Sequence, residues 1–237
     1  MTSISVKDLH KNFKDNKVLK GLSFECNNEI LFIAGRNGTG KTTFIRIALG
    51  LEFANKGSVT LTENGQPISK EDIGVVFDTP CLYPNKTCKE NISILCSGYT
   101  ADKKHLHSVL EKLDINKQML SKKAGRCSFG QQHRLSMAIA LIRKPKILFL
   151  DEPAIGLDPI SWELIKQCIL QNNKEQKGCT VLTGQDYFEL GNIADKLLVL
   201  KNGVGEYFGT VDGFINNSEE DSLQHALYPE LKGAKNE

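Results

Sequence analysis

The stretch Gly35-Arg36-Asn37-Gly38-Thr39-Gly40-Lys41-Thr42 fills every fixed position of the phosphate-loop pattern G-x-x-x-x-G-K-[ST], and it constrains the fold more than any other part of the chain. Before it, Ile30-Leu31-Phe32-Ile33-Ala34 is an apolar, β-branched run that reads as a buried strand. After it, Thr43-Phe44-Ile45-Arg46-Ile47-Ala48-Leu49 reads as a helix ended by Gly50. Strand, glycine turn and helix start together make an anion cradle. Successive N–H groups curl inward, and the positive end of the helix dipole faces the same charge. Lys41 is expected to reach the β- and γ-phosphates of a nucleotide, and Thr42 to offer its hydroxyl to Mg²⁺. A chance glycine turn with a surface lysine would need neither flanking element.

Composition limits what can surround that loop. The 237 residues suffice for one α/β domain with an inserted or appended subdomain. Lys and Arg number 30 against 28 Asp and Glu, a formal charge of +2, so no global field argues for nucleic acid or an anionic membrane surface. The 7 cysteines are scattered, with no C-x-x-C pair, which argues against a disulfide framework and points to a reducing cytosol. The first residues lack the apolar core of a secretion signal, and no apolar run approaches the ~20 residues that span a bilayer. If the protein works at a membrane, another chain is expected to supply the membrane part.

Along the chain, short strands alternate up to residue 33, with a turn at Asp15-Asn16-Lys17. Gly57 to Thr62 is a further strand, followed by the Asn64-Gly65 turn signal. Ile73 to Phe77 is a buried strand ending at Asp78, and a proline-punctuated loop follows. From Lys86 to Ile142 the pattern is helical, with Leu106, Val109, Leu110 and Leu113 forming one apolar stripe. Lys146 to Leu150 is a strand ending in Asp151-Glu152. Asp158 then caps a helix that starts at Pro159 and buries Ile165, Cys168 and Ile169. Strands at 179–183 and 196–200 flank a short helix around Tyr187 to Ala194. Strands alternating with helices imply a mostly parallel sheet covered on both faces. The residues from 216 onward, ending Gly233-Ala234-Lys235-Asn236-Glu237, are expected to fray.

Two more stretches carry chemistry. A strand beside the phosphate-loop strand would deliver Asp151 to the Mg²⁺ shell, and Glu152 would orient or deprotonate an attacking water. Cys127-Ser128-Phe129-Gly130-Gln131-Gln132-His133-Arg134 precedes a helix; Ser128 and Gly130 offer a hydroxyl, a bare N–H and a positive dipole end. An exposed acidic turn and an ordinary helix cap are the bland alternatives. With the phosphate loop upstream, the three stretches fall in the order and spacing of the ATP-binding cassette (ABC) ATPases, whose L-S-G-G-Q signature the second stretch resembles.

The resemblance runs from Ser3 to about Gly209. It implies an α/β fold of the P-loop NTPase class, a RecA-like core with an antiparallel β-subdomain and an inserted helical subdomain. Residues 1–85 and 143–215 would form the core with the β-subdomain, 86–142 the helical subdomain, and 216–237 a tail. It implies ATP and Mg²⁺ as ligands, held by Gly35 to Thr43, Asp151 and Asp78, with Thr42, Asp151 and Asp78 on the metal. Lys41, Glu152 and Gln185 are the expected catalytic set. Phe13 falls where an aromatic stacks on adenine. Ser128, Gly130 and Gln131 would complete the site of a second ATP-binding subunit, in a homodimer or heterodimer. The loop Tyr83 to Thr87 resembles the surface that meets an integral membrane subunit, and Gly156-Leu157-Asp158-Pro159 resembles the D-loop that touches the opposite subunit. The setting implied is peripheral, on the cytoplasmic face of the plasma membrane.

The chain departs from the family pattern at four places. Cys127 and Phe129 replace the signature's leucine and first glycine, Asp78 replaces the loop glutamine, and Gln185 stands where a histidine is usual. Gln185 donates a hydrogen bond but carries no charge and shuttles no proton, so slow turnover is expected. The expected function is the ATPase subunit of a transporter, of export type by its Leu82-Tyr83-Pro84 loop and Asp78. The alternative is a regulatory module that dimerises on ATP and hydrolyses it negligibly. His105 and His107 are expected on the surface and Trp162 in the core.

Overall fold

The computed structural model describes residues 1–98, 102–218 and 220–232, with side chains as far as 228; the end expected to fray at 233–237 lies outside them. Two long antiparallel strands open the chain, β1 (Thr2–Phe13) and β2 (Asn16–Asn27), joined at Lys14 and Asp15. The sequence predicts shorter strands here. Register shifts after Val6 and near Lys11 let β1 bend without losing Ile4, Val6 and Leu9 from its buried face. After β3 (Ile30–Ala34) and α1 (Lys41–Ala48), β4 (Lys56–Glu63) returns to pair with β1. The two-residue turn Asn64-Gly65, with both residues at positive φ, folds β5 (Gln66–Pro67) onto β4. This completes a four-stranded antiparallel sheet in the order β2-β1-β4-β5.

β6 (Ile73–Val76) leaves that sheet, and a helical stretch follows: α2 (Cys88–Leu95), α3 (Lys103–Lys112), α4 (Lys117–Ser121) and α5 (Phe129–Ile142). The expected stripe of α3 is in place, with Val109 and Leu113 buried and Leu106 and Leu110 packed beside them. The chain then alternates through β7 (Ile147–Asp151), α6 (Pro159–Gln176), β8 (Cys179–Gly184), α7 (Tyr187–Gly191) and β9 (Lys196–Lys201). It ends with β10 (Val204–Thr210), α8 (Val211–Ser218) and α9 (Leu223–Lys232). The second sheet has six strands in the order β10-β9-β3-β8-β7-β6, and only β10 runs antiparallel to its neighbour.

Both faces of this sheet are covered, which explains its unbroken apolar strands. In β3, Ile30, Phe32 and Ala34 join a core under the helices, while Leu31 and Ile33 join a second core under the antiparallel sheet. β7 divides the same way, Leu148 and Leu150 against Ile147 and Phe149. In the second core the rings of Phe24 and Phe44 meet edge-on at 5.4 Å, and Phe44 meets Phe149 at 6.3 Å. One aromatic cluster thus locks β2, the helix after the phosphate loop and the strand bearing Asp151 together, each buried ring being worth about 1.5–3 kcal/mol.

Two expectations change. The residues from 216 onward carry α9, whose Leu223, Ala226 and Leu227 are buried, because Leu223 packs onto Gly191 of α7. His105 is half-buried, with its ring nitrogen 3.2 Å from the Leu141 carbonyl. His107 is exposed and Trp162 is buried, its indole N–H donating to Glu189 at 2.6 Å.

Candidate functional site

Loops at the C-terminal edge of the parallel strands build the site, as in open α/β sheets generally. The sequence places the acidic strand directly beside β3; the structure inserts β8 between β3 and β7. The register sets Ala34 opposite Gly184 and Asp151 opposite Thr183, so phosphate loop, Thr183 and Asp151 reach the edge together. The correction adds Thr183, which sequence reading assigned only to a strand end.

Gly35 to Gly40 form the turn, and α1 begins at Lys41 with Gly40 as its N-cap. Gly40 has φ +110°, where any side chain would be strained, and a Cβ there would sit 2.7 Å from a Leu19 methyl. Thr39 closes the turn, its amide and hydroxyl donating to the Arg36 carbonyl at 3.3 and 2.9 Å. Arg36, Asn37 and Gly38 are exposed at the tip, and Thr43 is half-buried in the first turn of α1.

Lys41 is buried, and its ammonium donates to the carbonyls of Gly35 at 2.7 Å and Arg36 at 3.2 Å. The Glu152 carboxylate lies 3.4 Å away. Thr42 donates its hydroxyl to Asp151 at 2.6 Å, and the Thr183 hydroxyl donates to the other Asp151 oxygen. Asp151 itself is 1% exposed. A buried carboxylate beside a threonine hydroxyl is a hard oxygen donor set that suits Mg²⁺, which binds through one or two carboxylates and leaves its other positions to phosphate and water. Among the described residues no cluster of three or more His, Cys, Asp or Glu could hold a metal ion.

Glu152 occupies the left-handed region at φ +52°, a strained conformation for a non-glycine residue. Its amide donates to the Thr183 carbonyl at 3.1 Å. Gly184 lies tight against Leu190, which a Cβ there would meet at 2.4 Å, and that Cβ would come 3.3 Å from a Glu152 oxygen. Gln185 reaches across to the phosphate loop and donates to the Asn37 side chain at 2.8 Å.

Ser128 caps α5 in a reciprocal box with Gln131: the Gln131 amide donates to the Ser128 hydroxyl, and the Ser128 amide to the Gln131 side chain. Gly130 faces Asp158 and Ser161 at the start of α6, where a Cβ would lie 3.4 Å from the Ser161 hydroxyl. Phe129 lies against Gly156, which has φ +66°, and packs on His133 with ring centroids 4.5 Å apart and the planes tilted by 50°. His133 is buried, and its Nε2 lies 3.0 Å from the Asp78 carbonyl. Burial pushes the His133 pKa below its usual value, against the pull of Asp78. No sequence signal marked this histidine. It ties the Asp78 loop to the signature helix, and Phe129 ties that helix to the turn at Gly156.

Two expected ligands stand apart. Asp78 is exposed, and its carboxylate accepts from the Thr79 amide at 2.7 Å instead of joining Thr42 and Asp151. Phe13 is at the end of β1, 44% exposed. Cys127 is buried with its sulfur 3.6 Å from that of Cys88.

Residues 19–155 match the family model described as ABC transporter. The chain belongs to the ABC transporter family. It is similar to the sulfoquinovosyl glycerol transport ATP-binding protein SmoE of Agrobacterium fabrum, at 30% identity over 92% of this chain and 63% of that protein. It is also similar to the phosphate import ATP-binding protein PstB of Aeropyrum pernix, at 32% identity over 86% of this chain and 88% of that protein. The chain spans 62 to 63% of the length of the first curated relatives it matches. A solved ATP binding subunit of an ABC transporter shares the fold, with TM-score 0.85 at 22% identity over 97% of this chain and 99% of that one. The cassette fold expected from the sequence is therefore the fold observed. Among the described residues no helix of this ABC-family chain is long and apolar enough to cross a membrane.

Proposed function

We propose that this chain is the ATP-binding and ATP-hydrolysing subunit of an ABC-type transporter, acting at the cytoplasmic face of a membrane through a separate integral membrane subunit. The observation that supports it most is the convergence of Lys41, Thr42, Asp151 and Glu152 at one sheet edge, with each side chain already within bonding reach of another. Bound between Thr42 and Asp151, Mg²⁺ would neutralise charge on the β- and γ-phosphates. Lys41 would exchange its two loop carbonyls for phosphate oxygens, and the loop amides would close around them. Glu152, released from Lys41, would take the proton of the attacking water. Gln185 would donate to the γ-phosphate from its place beside Asn37. Asp78 would reach the metal only after its loop turns away from the Thr79 amide.

Phe13 would stack on adenine. Ser128, Gly130 and Gln131 would serve the nucleotide of a second ATP-binding subunit, in a homodimer or a heterodimer. The export direction expected from the sequence draws no support from the relatives, several of which are named as import proteins. On this reading the direction belongs to the membrane subunit.

Steady-state phosphate release by the chain with its co-purified membrane subunit tests the proposal. Slow turnover is expected, raised by Gln185→His; a hundredfold deficit at this position corresponds to ~2.7 kcal/mol of lost transition-state stabilisation. An unchanged rate in Gln185→His rejects the claim that this residue limits turnover. Bound ATP with no turnover at all favours the regulatory module, for which Gln185 and Asp78 are the sequence arguments.

A further inference from the structure

We propose that Lys11 is a positioning residue for the nucleotide base: its buried ammonium holds the Phe13 ring ready to stack on adenine. The proposal rests on the reading of Phe13 as the stacking residue. Lys11 is 8% exposed, a degree of burial that lysine reaches only when its charge is satisfied. Its ammonium donates to Glu52 at 2.7 Å and to the Phe53 carbonyl at 2.8 Å. The same nitrogen lies 4.6 Å from the centroid of the Phe13 ring, within cation–π range. Two acceptors and one ring face account for the three ammonium protons.

The ring needs such a hold. Phe13 is the last residue of β1, at the tip of a hairpin and partly open to water, where an unsupported side chain would sample several rotamers. The cation covers one part of the ring and leaves the exposed remainder for a flat ligand. The anchor is firm on its other side as well. Glu52 and Phe53 belong to the loop that follows α1. That loop is pinned to β1 where the Asn55 amide donates to the His10 carbonyl at 2.8 Å and the Asn12 amide to the Asn55 side chain at 2.7 Å. Lys11 therefore couples the hairpin tip to the far end of the helix that carries Lys41. Phe13 pairs with Asn16, and a cleft of about 300 Å³ bounded by Asn16, Lys17, Val18 and Gly38 joins this hairpin to the phosphate loop. On this proposal, a base attached to phosphates on that loop meets the ring across this cleft.

The physical effect is pre-organisation: a ring fixed before binding loses less rotamer freedom when the base arrives. Calorimetric titration of the intact chain with MgATP, and with magnesium tripolyphosphate as a probe lacking the base, tests it. Lys11→Met keeps the aliphatic stem and should weaken ATP by about five- to tenfold while leaving tripolyphosphate within about twofold of the parent. Lys11→Arg, which keeps a cation, should restore ATP binding. Glu52→Ala, which frees the ammonium without altering β1, should show the same loss for ATP alone and stands in if Lys11→Met does not fold. Unchanged ATP binding in Lys11→Met overturns the proposal, as does an equal loss for both ligands, the mark of a merely structural tether. Phe13→Ala separates the two levels. If it leaves ATP binding intact, the stacking role itself fails; if it weakens ATP and Lys11→Met does not, only the role of Lys11 fails.

Discussion

Replacing Glu152 by Gln changes one oxygen to an amide group and removes the charge that neutralises Lys41 in the ligand-free site. The ammonium and carboxylate are 3.4 Å apart with side chains 5% and 15% exposed, a gross attraction of about 5 kcal/mol at an effective dielectric constant near 20. Most of this is offset by desolvation, and Lys41 keeps the carbonyls of Gly35 and Arg36 in the variant. The variant therefore folds. ATP no longer has to break the ion pair or face a carboxylate near its γ-phosphate, so its Kd should fall by roughly tenfold, or ~1.4 kcal/mol. Turnover should move the other way, by at least about a hundredfold, since a positioned general base contributes 10²–10⁴. Equilibrium binding of labelled ATP and single-turnover phosphate release measure the two effects on one preparation. Hydrolysis within about threefold of the parent chain would refute the assignment of Glu152 as the base.

Thr183→Val keeps the side-chain shape but takes one of two hydroxyl donors from buried Asp151, and should lower stability by about 1–3 kcal/mol in urea unfolding and raise the Mg²⁺ concentration needed for ATP binding. Gly156→Ala places a methyl 3.1 Å from the Phe129 ring at a φ of +66°; it should reduce ATP-promoted association in sedimentation with little change in monomer ATP affinity. His133 is held neutral by burial, with its folded pKa below the usual 6.5, so the unfolded chain takes up its proton first as pH falls. The stability this gives is full above about pH 6.5 and is lost as pH drops through the folded value. His133→Gln should flatten the decline in Tm between about pH 7.5 and 5.5, and an unaltered decline would exclude this histidine as a source of acid sensitivity.

The sequence alone determined what local chemistry could dictate. Glycines at 35, 38 and 40 before Lys41, an apolar run ending in Asp151-Glu152, and Asp158 capping a helix at Pro159 are patterns in which spacing settles backbone conformation before packing begins. Both faces of β3 and β7 are buried, so their lack of alternation already pointed to a covered parallel sheet. Strand order left no such trace, because it depends on which crossover packs against which face; only the assembled sheet set β8 between β3 and β7 and brought Thr183 to Asp151. The contacts of Lys41 with Glu152, His133 with the Asp78 carbonyl and Gln185 with Asn37 likewise join residues 55 to 148 positions apart. Nothing in the local spacing of either partner records them. The same holds at the C-terminus, where α9 reads as polar tail until Leu223 meets Gly191, and its helix is decided by that burial.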